Sequence, residues 1–228
     1  MPKHIGIAGV TSEGAALCYR TICQGGEAQH GYAHPEVTLH NLSLADYMRA
    51  IEADDWPEVG RLLLESAAKL ASIGASFAIC PDNTAHQGLN LVRQQSPIPW
   101  LHIAEEIAAL AKHRGYSKVG VLGTRWLMEG PVYTDALAAQ RITCEFPERE
   151  VRQRINSLIM DELVFGRFAP ATRQYFQEAI QVFTNNGCQA VVLGCTEIPL
   201  LIQPADSVLP TLDSTRTLAR AALRAANV

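Results

Sequence analysis

One strand-and-turn pattern occurs twice along this chain, at almost the same spacing. Two glycine-ended apolar runs, Ile5-Gly6-Ile7-Ala8-Gly9 and Val119-Gly120-Val121-Leu122-Gly123, are each followed by a second apolar run that leads into a proton-transfer side chain and then small polar residues. Asp82 lies 73 positions after Gly9, and Cys195 lies 72 positions after Gly123. The first is followed by Asn83-Thr84-Ala85-His86, the second by Thr196-Glu197. The spacing fits two copies of one unit, each supplying one reactive group.

The runs are short, rich in Val and Ile, and bounded by Gly or Pro, which reads as strands over 4–9, 36–41, 76–80, 97–101, 118–123, 141–146, 189–194 and 207–210. Between them, apolar residues recur at helical period from Trp56 to Ile73, Ala104 to His113, Leu127 to Ala139, Thr172 to Asn185 and Ser214 to Ala226. Strands apolar along their length and alternating with helices predict parallel sheets covered on both faces. The expected fold is α/β, with two pseudo-symmetric Rossmann-like domains and an active site in the cleft between them. The prolines of Ser96-Pro97-Ile98-Pro99 suggest the boundary. The expected halves are 1–97 with 208–228, and 98–207, so that the last strand and helix return to the first half.

Composition removes several classes of function. With 19 Lys and Arg against 23 Asp and Glu, the net charge of −4 leaves no basic footprint for nucleic acid or an anionic membrane. No apolar stretch resembles a leader or a membrane span. The six cysteines are scattered, as expected of free thiols in a reducing cytoplasm. The opening glycines lack dinucleotide or phosphate-loop spacing, the histidines and cysteines lack zinc-ligand spacing, and none of the four lysines sits where a Schiff base would be needed. The expectation is no cofactor and no metal, and any small anionic ligand must be met by local donors.

Cofactor-free proton transfer on a small molecule needs a base, an acid opposite it, and donors for the charge that develops. Asp82 and Cys195 are the candidate catalytic pair. Asn83, Thr84 and Thr196, with Thr124 and Thr11 from the corresponding opening loops, are the candidate donors to a small anionic ligand. Arg49 is a candidate for a distal substrate group, or an ordinary exposed helix arginine. Asp82 can also be read as a helix cap and Cys195 as a buried apolar thiol.

The chain resembles the aspartate/glutamate racemase superfamily, which includes hydantoin racemases, maleate isomerases and arylmalonate decarboxylases. The resemblance rests on Ile5-Gly6-Ile7, on His34-Pro35-Glu36-Val37-Thr38-Leu39-His40, and on Asn83-Thr84-Ala85-His86. It continues through Val121 to Glu129 and Arg154-Ile155-Asn156 to Gly194-Cys195-Thr196-Glu197-Ile198. It implies a cofactor-independent racemase, usually a homodimer, that uses two cysteines on opposite faces of the substrate. Cys195 matches the second position, whereas the first is occupied by Asp82, with Cys80 two residues earlier. Val10-Thr11-Ser12-Glu13-Gly14 replaces the usual Gly-Met-rich turn, and Phe165 stands where some aspartate racemases carry a substrate-binding lysine. The competing expectations are a one-thiol decarboxylase or isomerase using Cys195, and a non-catalytic carboxylate-binding protein.

Overall fold

The computed structural model describes residues 2–226. The chain divides into two compact units, Met1–Glu106 with Thr215–Val228, and Ile107–Ser214. The first contains, in order, β1 (Ile5–Gly9), α1 (Ser12–His30), β2 (Val37–Asn41), α2 (Leu44–Glu52), α3 (Trp56–Ser72), β3 (Phe77–Ile79), α4 (His86–Val92) and β4 (Trp100–Leu101). Helix α5 (Ile103–His113) carries the chain onward. The second unit holds β5 (Lys118–Leu122), α6 (Arg125–Glu129), α7 (Val132–Ala139), β6 (Thr143–Glu145), α8 (Arg149–Asp161), α9 (Pro170–Asn185), β7 (Ala190–Leu193), α10 (Ile198–Leu201) and β8 (Thr211–Asp213). The last helix, α11 (Ser214–Ala225), belongs almost wholly to the first unit.

Each unit is built on a four-stranded parallel sheet, ordered β2-β1-β3-β4 in the first and β6-β5-β7-β8 in the second. The two orders are the same when counted from the start of each unit. The central strands β1, β3 and β7 are buried along their whole length, whereas the edge strands β2 and β6 are partly exposed. That is the burial a parallel sheet with helices on both faces requires.

Two expectations about the ends of the sheets are corrected by the strand pairing. The segment expected at 97–101 contributes only Trp100 and Leu101 to a ladder, and they pair with β3 of the first sheet. Pro97 and Pro99 have no N–H to donate, so pairing begins after them; the Pro99 carbonyl accepts from Ala78 N at 2.8 Å. The last strand lies at 211–213, beyond the expected 207–210, and it pairs with β7 of the second sheet and does not return to the first. Only α11 makes that return. The stretch expected as one helix over 127–139 is two, α6 and α7, separated at Gly130-Pro131.

In the first unit Ile5, Ile7, Phe77 and Ile79 pack against Cys18 and Ile22 of α1 and Leu218 and Leu223 of α11. In the second, Val191, Leu193 and Leu122 pack against Phe176, Ile180 and Phe183 of α9. Burying one such side chain contributes about 1.5–3 kcal/mol. Gly120 is required here, because a Cβ at that position would lie 2.4 Å from the Phe183 ring. The α3–α4 crossing depends similarly on Gly60 and Gly88, since a Cβ on Gly88 would sit 2.7 Å from the Gly60 nitrogen. This close crossing anchors α4, which begins at His86. None of the six cysteines is in a disulfide.

Candidate active site

In open parallel sheets the strand order reverses at one point, and ligands bind beyond the carboxyl ends of the strands there. That point lies between β1 and β3 in the first unit and between β5 and β7 in the second. Thr11 follows β1, and Asp82, Asn83 and Thr84 follow β3. Thr124 follows β5, and Cys195 and Thr196 follow β7. Within each unit, the structure therefore brings these candidates to the same sheet edge. Arg49 stands apart: it projects from α2 with 78% of its side chain exposed, 3.4 Å from Asp46.

In the loop Cys80–His86, Asp82 alone is not buried. Its Oδ1 accepts from Ala85 N at 2.8 Å, capping the turn that leads into α4. Its main-chain carbonyl accepts from His86 Nδ1 at 2.7 Å, and the Cys80 thiol lies 3.9 Å from the same oxygen. Cys80 is fully buried; burial first, then the Asp82 charge, push its thiol well above the ordinary range and hold it protonated. Tyr47, also fully buried, is pushed up, chiefly by burial. A side chain at Gly9 would collide with Asn41 Oδ1 at 2.0 Å, so β1 and β2 close tightly just before Thr11, which caps α1 by accepting from Gly14 N at 3.2 Å.

The second loop is built differently. Cys195 is 8% exposed, and its thiol donates to Glu197 Oε2 at 2.9 Å. Thr196 Oγ1 donates to the same oxygen at 3.0 Å. Glu197 is 1% exposed, and its Oε1 has no hydrogen-bond partner among the described residues. One carboxyl oxygen of Glu197 therefore accepts from both neighbouring side chains. Gly194 makes the turn possible: its N donates to Leu122 O at 2.7 Å, and a Cβ there would lie 2.9 Å from that same carbonyl. Thr124 caps α6 by accepting from Leu127 N at 3.3 Å.

Glu197 is a buried partner of Cys195 that residue spacing alone does not single out. The signal available was an acidic side chain two residues after a thiol in a tight turn. The described residues contain no group of three or more His, Cys, Asp or Glu arranged to hold a metal ion. No helix among them is long and apolar enough to cross a membrane.

Residues 7–222 match the family model for Asp/Glu/Hydantoin racemase. The chain is similar to the broad specificity amino-acid racemase RacX of Bacillus subtilis, at 24% identity over 85% of this chain and 82% of that protein. It is similar in structure to a candidate Asp/Glu racemase from Yersinia pestis, at TM-score 0.90 and 30% identity, covering 99% of this chain and 100% of the other. An aspartate racemase homologue from Pyrococcus horikoshii OT3 matches at TM-score 0.83 and 26% identity, with both chains fully covered.

Proposed function

The chain belongs to the Asp/Glu/Hydantoin racemase family, and on that premise we propose that it is a cofactor-independent amino-acid racemase in which Asp82 and Cys195 exchange the α-proton on opposite faces of the substrate. The observation that carries this reading is the 2.9 Å hydrogen bond from the Cys195 thiol to the buried Glu197 carboxylate. A thiol that serves only as apolar filler has no need of a buried carboxylate, and burying one without function is costly.

In one direction the Asp82 carboxylate takes the α-proton, leaving a carbanion whose charge spreads into the substrate carboxylate. Asn83 and Thr84, with Thr11 and Thr124, supply hydrogen bonds to that carboxylate, and Thr196 joins them only by turning its hydroxyl away from Glu197. Cys195 delivers its proton from the other face and is left as a thiolate. In the other direction the thiolate takes the proton and the Asp82 carboxylic acid returns one. Glu197 is the group that can receive the Cys195 proton when a thiolate is required. An aspartate is a weak base for this task, with a reference pKa of about 3.9 against about 8.5 for a thiol, so the two directions differ in rate and in pH profile. The substrate is a small amino acid bound through its carboxylate. Arg49 serves a distal group only by leaving Asp46. A homodimer without bound cofactor is the proposed assembly.

A second reading is supported by the Ala85 N to Asp82 Oδ1 bond. If Asp82 acts only as a cap, Cys195 alone protonates an enediolate, and the enzyme is a one-thiol decarboxylase or isomerase of small carboxylic acids. Proton NMR in heavy water separates the readings, using the wild type, Asp82→Asn and Cys195→Ala with a panel of amino acids and small diacids. The racemase reading expects deuterium at the α-carbon and loss of inversion in both variants. Carbon dioxide release with an active Asp82→Asn supports the one-thiol reading. Ligand-dependent stabilisation without turnover would make the protein a binder.

A further inference from the structure

The first reactive loop is held by a buried histidine whose protonation state is fixed by its two partners. His86 is fully buried. Its Nδ1 lies 2.7 Å from the Asp82 carbonyl, which can only accept, so Nδ1 carries the proton. Its Nε2 lies 3.2 Å from the Ile103 N–H, which can only donate, so Nε2 is the bare lone pair. No second proton can be added without turning the Ile103 contact into donor against donor.

His102 continues the arrangement. Its ring meets that of His86 edge-on, with centroids 4.4 Å apart and planes at 77°. Its Nε2 lies 3.0 Å from Asn90 Oδ1, and its Nδ1 accepts from Glu105 N at 3.4 Å, so it too is a neutral tautomer with both ring nitrogens assigned. The groups bearing on His86 are Asp82 through its carbonyl, His102, and the more distant Arg93 and Glu105, which pair with each other at 2.6 Å. Burial and the neighbouring His102 ring both oppose a charge on His86.

We infer that His86 is a positioning residue for Asp82: as the neutral Nδ1–H tautomer it fixes the Asp82 peptide, and through it the carboxylate, against the start of α5. The hydrogen bond to the Asp82 carbonyl and the Ala85 bond to Asp82 Oδ1 grip the same residue at two points. Ile103 is seventeen residues further along the chain, so the loop is referenced to the β4–α5 junction and not merely to its own turn. This inference rests on the racemase reading only for the purpose Asp82 serves.

Two substitutions in the full-length protein divide the histidine between its two nitrogens. His86→Asn places an amide N–H near Nδ1 and loses the acceptor for Ile103. His86→Gln places a carbonyl oxygen near Nε2 and loses the donor to Asp82. The readouts are the ¹³C titration of the Asp82 carboxyl, kcat and KM for α-deuterium exchange, and the imidazole ¹⁵N spectrum of the wild type.

The Gln variant is expected to move the Asp82 titration upward by more than about half a unit and to lower kcat about 10-fold or more, with KM changed less than about 3-fold. The Asn variant is expected to rescue both readouts, to within about 3-fold in kcat, even if it is the less stable of the two. A wild-type ¹⁵N spectrum in which His86 carries its proton on Nε2, or titrates between pH 5 and 8, overturns the inference. So does an Asp82 titration unmoved in the Gln variant, with activity falling in both variants in step with stability. If the wild type shows no exchange with any amino acid, the racemase reading falls, and the Asp82 titration alone decides the role of His86.

Discussion

The two candidate loops occupy equivalent places in their sheets and are built in opposite ways. In the first, the carboxylate of Asp82 is partly exposed and is held by a backbone N–H and a buried imidazole. In the second, the nearly buried thiol of Cys195 stands against a carboxylate, Glu197, that is itself buried. The first loop spends two residues, Cys80 and Pro81, between the end of β3 and Asp82, where the second spends one, Gly194, between the end of β7 and Cys195. Duplicated topology thus fixes where each candidate loop stands, while the local turn decides which side chain is presented and which is tucked beneath it.

The largest effect that sharpens this comparison is expected from Cys195→Ala, which should lower racemisation about 10³-fold by removing one acid–base group, measured as loss of optical inversion by polarimetry. The next is a difference in acid stability. Burial, and to a lesser extent Arg93, lower His102 to about 4 from 6.5. Six of the seven histidines lie outside residues 107–214, where only His113 is found. A folded-state pKa below the unfolded one means the unfolded chain binds more protons between the two values, so stability falls as pH drops from 6.5 towards 4. The loss from His102 is on the order of 3 kcal/mol. Hydrogen exchange followed by mass spectrometry should show protection lost first around β3, α4 and α5; loss beginning in the second sheet would break the contrast.

Glu197→Gln is expected to slow exchange about 100-fold while leaving the fold intact, because the amide keeps the Cys195 and Thr196 contacts but cannot take up the thiol proton. Stopped-flow thiol alkylation should show the corresponding loss of thiolate. The smallest effects compare glycines. Gly194→Ala sets a Cβ against the Leu122 carbonyl and should cost about 2 kcal/mol in urea unfolding. Gly9→Ala meets a side-chain oxygen of Asn41, which can rotate away, and should cost less.

Much of this was legible in the chain. The Val- and Ile-rich runs locate the strands because fully buried parallel strands leave no room for polar alternation, and Asp82 and Cys195 stand out from the small polar residues that follow them. The sheet ends were harder to read, since whether residues near Pro97, Pro99 and Pro210 join a ladder depends on which neighbour offers an acceptor. Helices α1 and α8 have weak signals in the sequence: Gly25 and Gly26 fall within α1 without breaking it, and α8 is dense in charge. The roles of Glu197 and His86 depend on side chains folding back within a turn, and on the Ile103 N–H arriving from seventeen residues away. Spacing alone does not encode such contacts.

The most direct test of two chemically unlike reactive groups is α-deuterium incorporation by Asp82→Asn, measured separately from each enantiomer of one substrate. Two-base chemistry requires that the variant still wash hydrogen out of the enantiomer served by Cys195, with retained configuration, while the other enantiomer is left untouched. Interconversion of both enantiomers at the wild-type rate would contradict it.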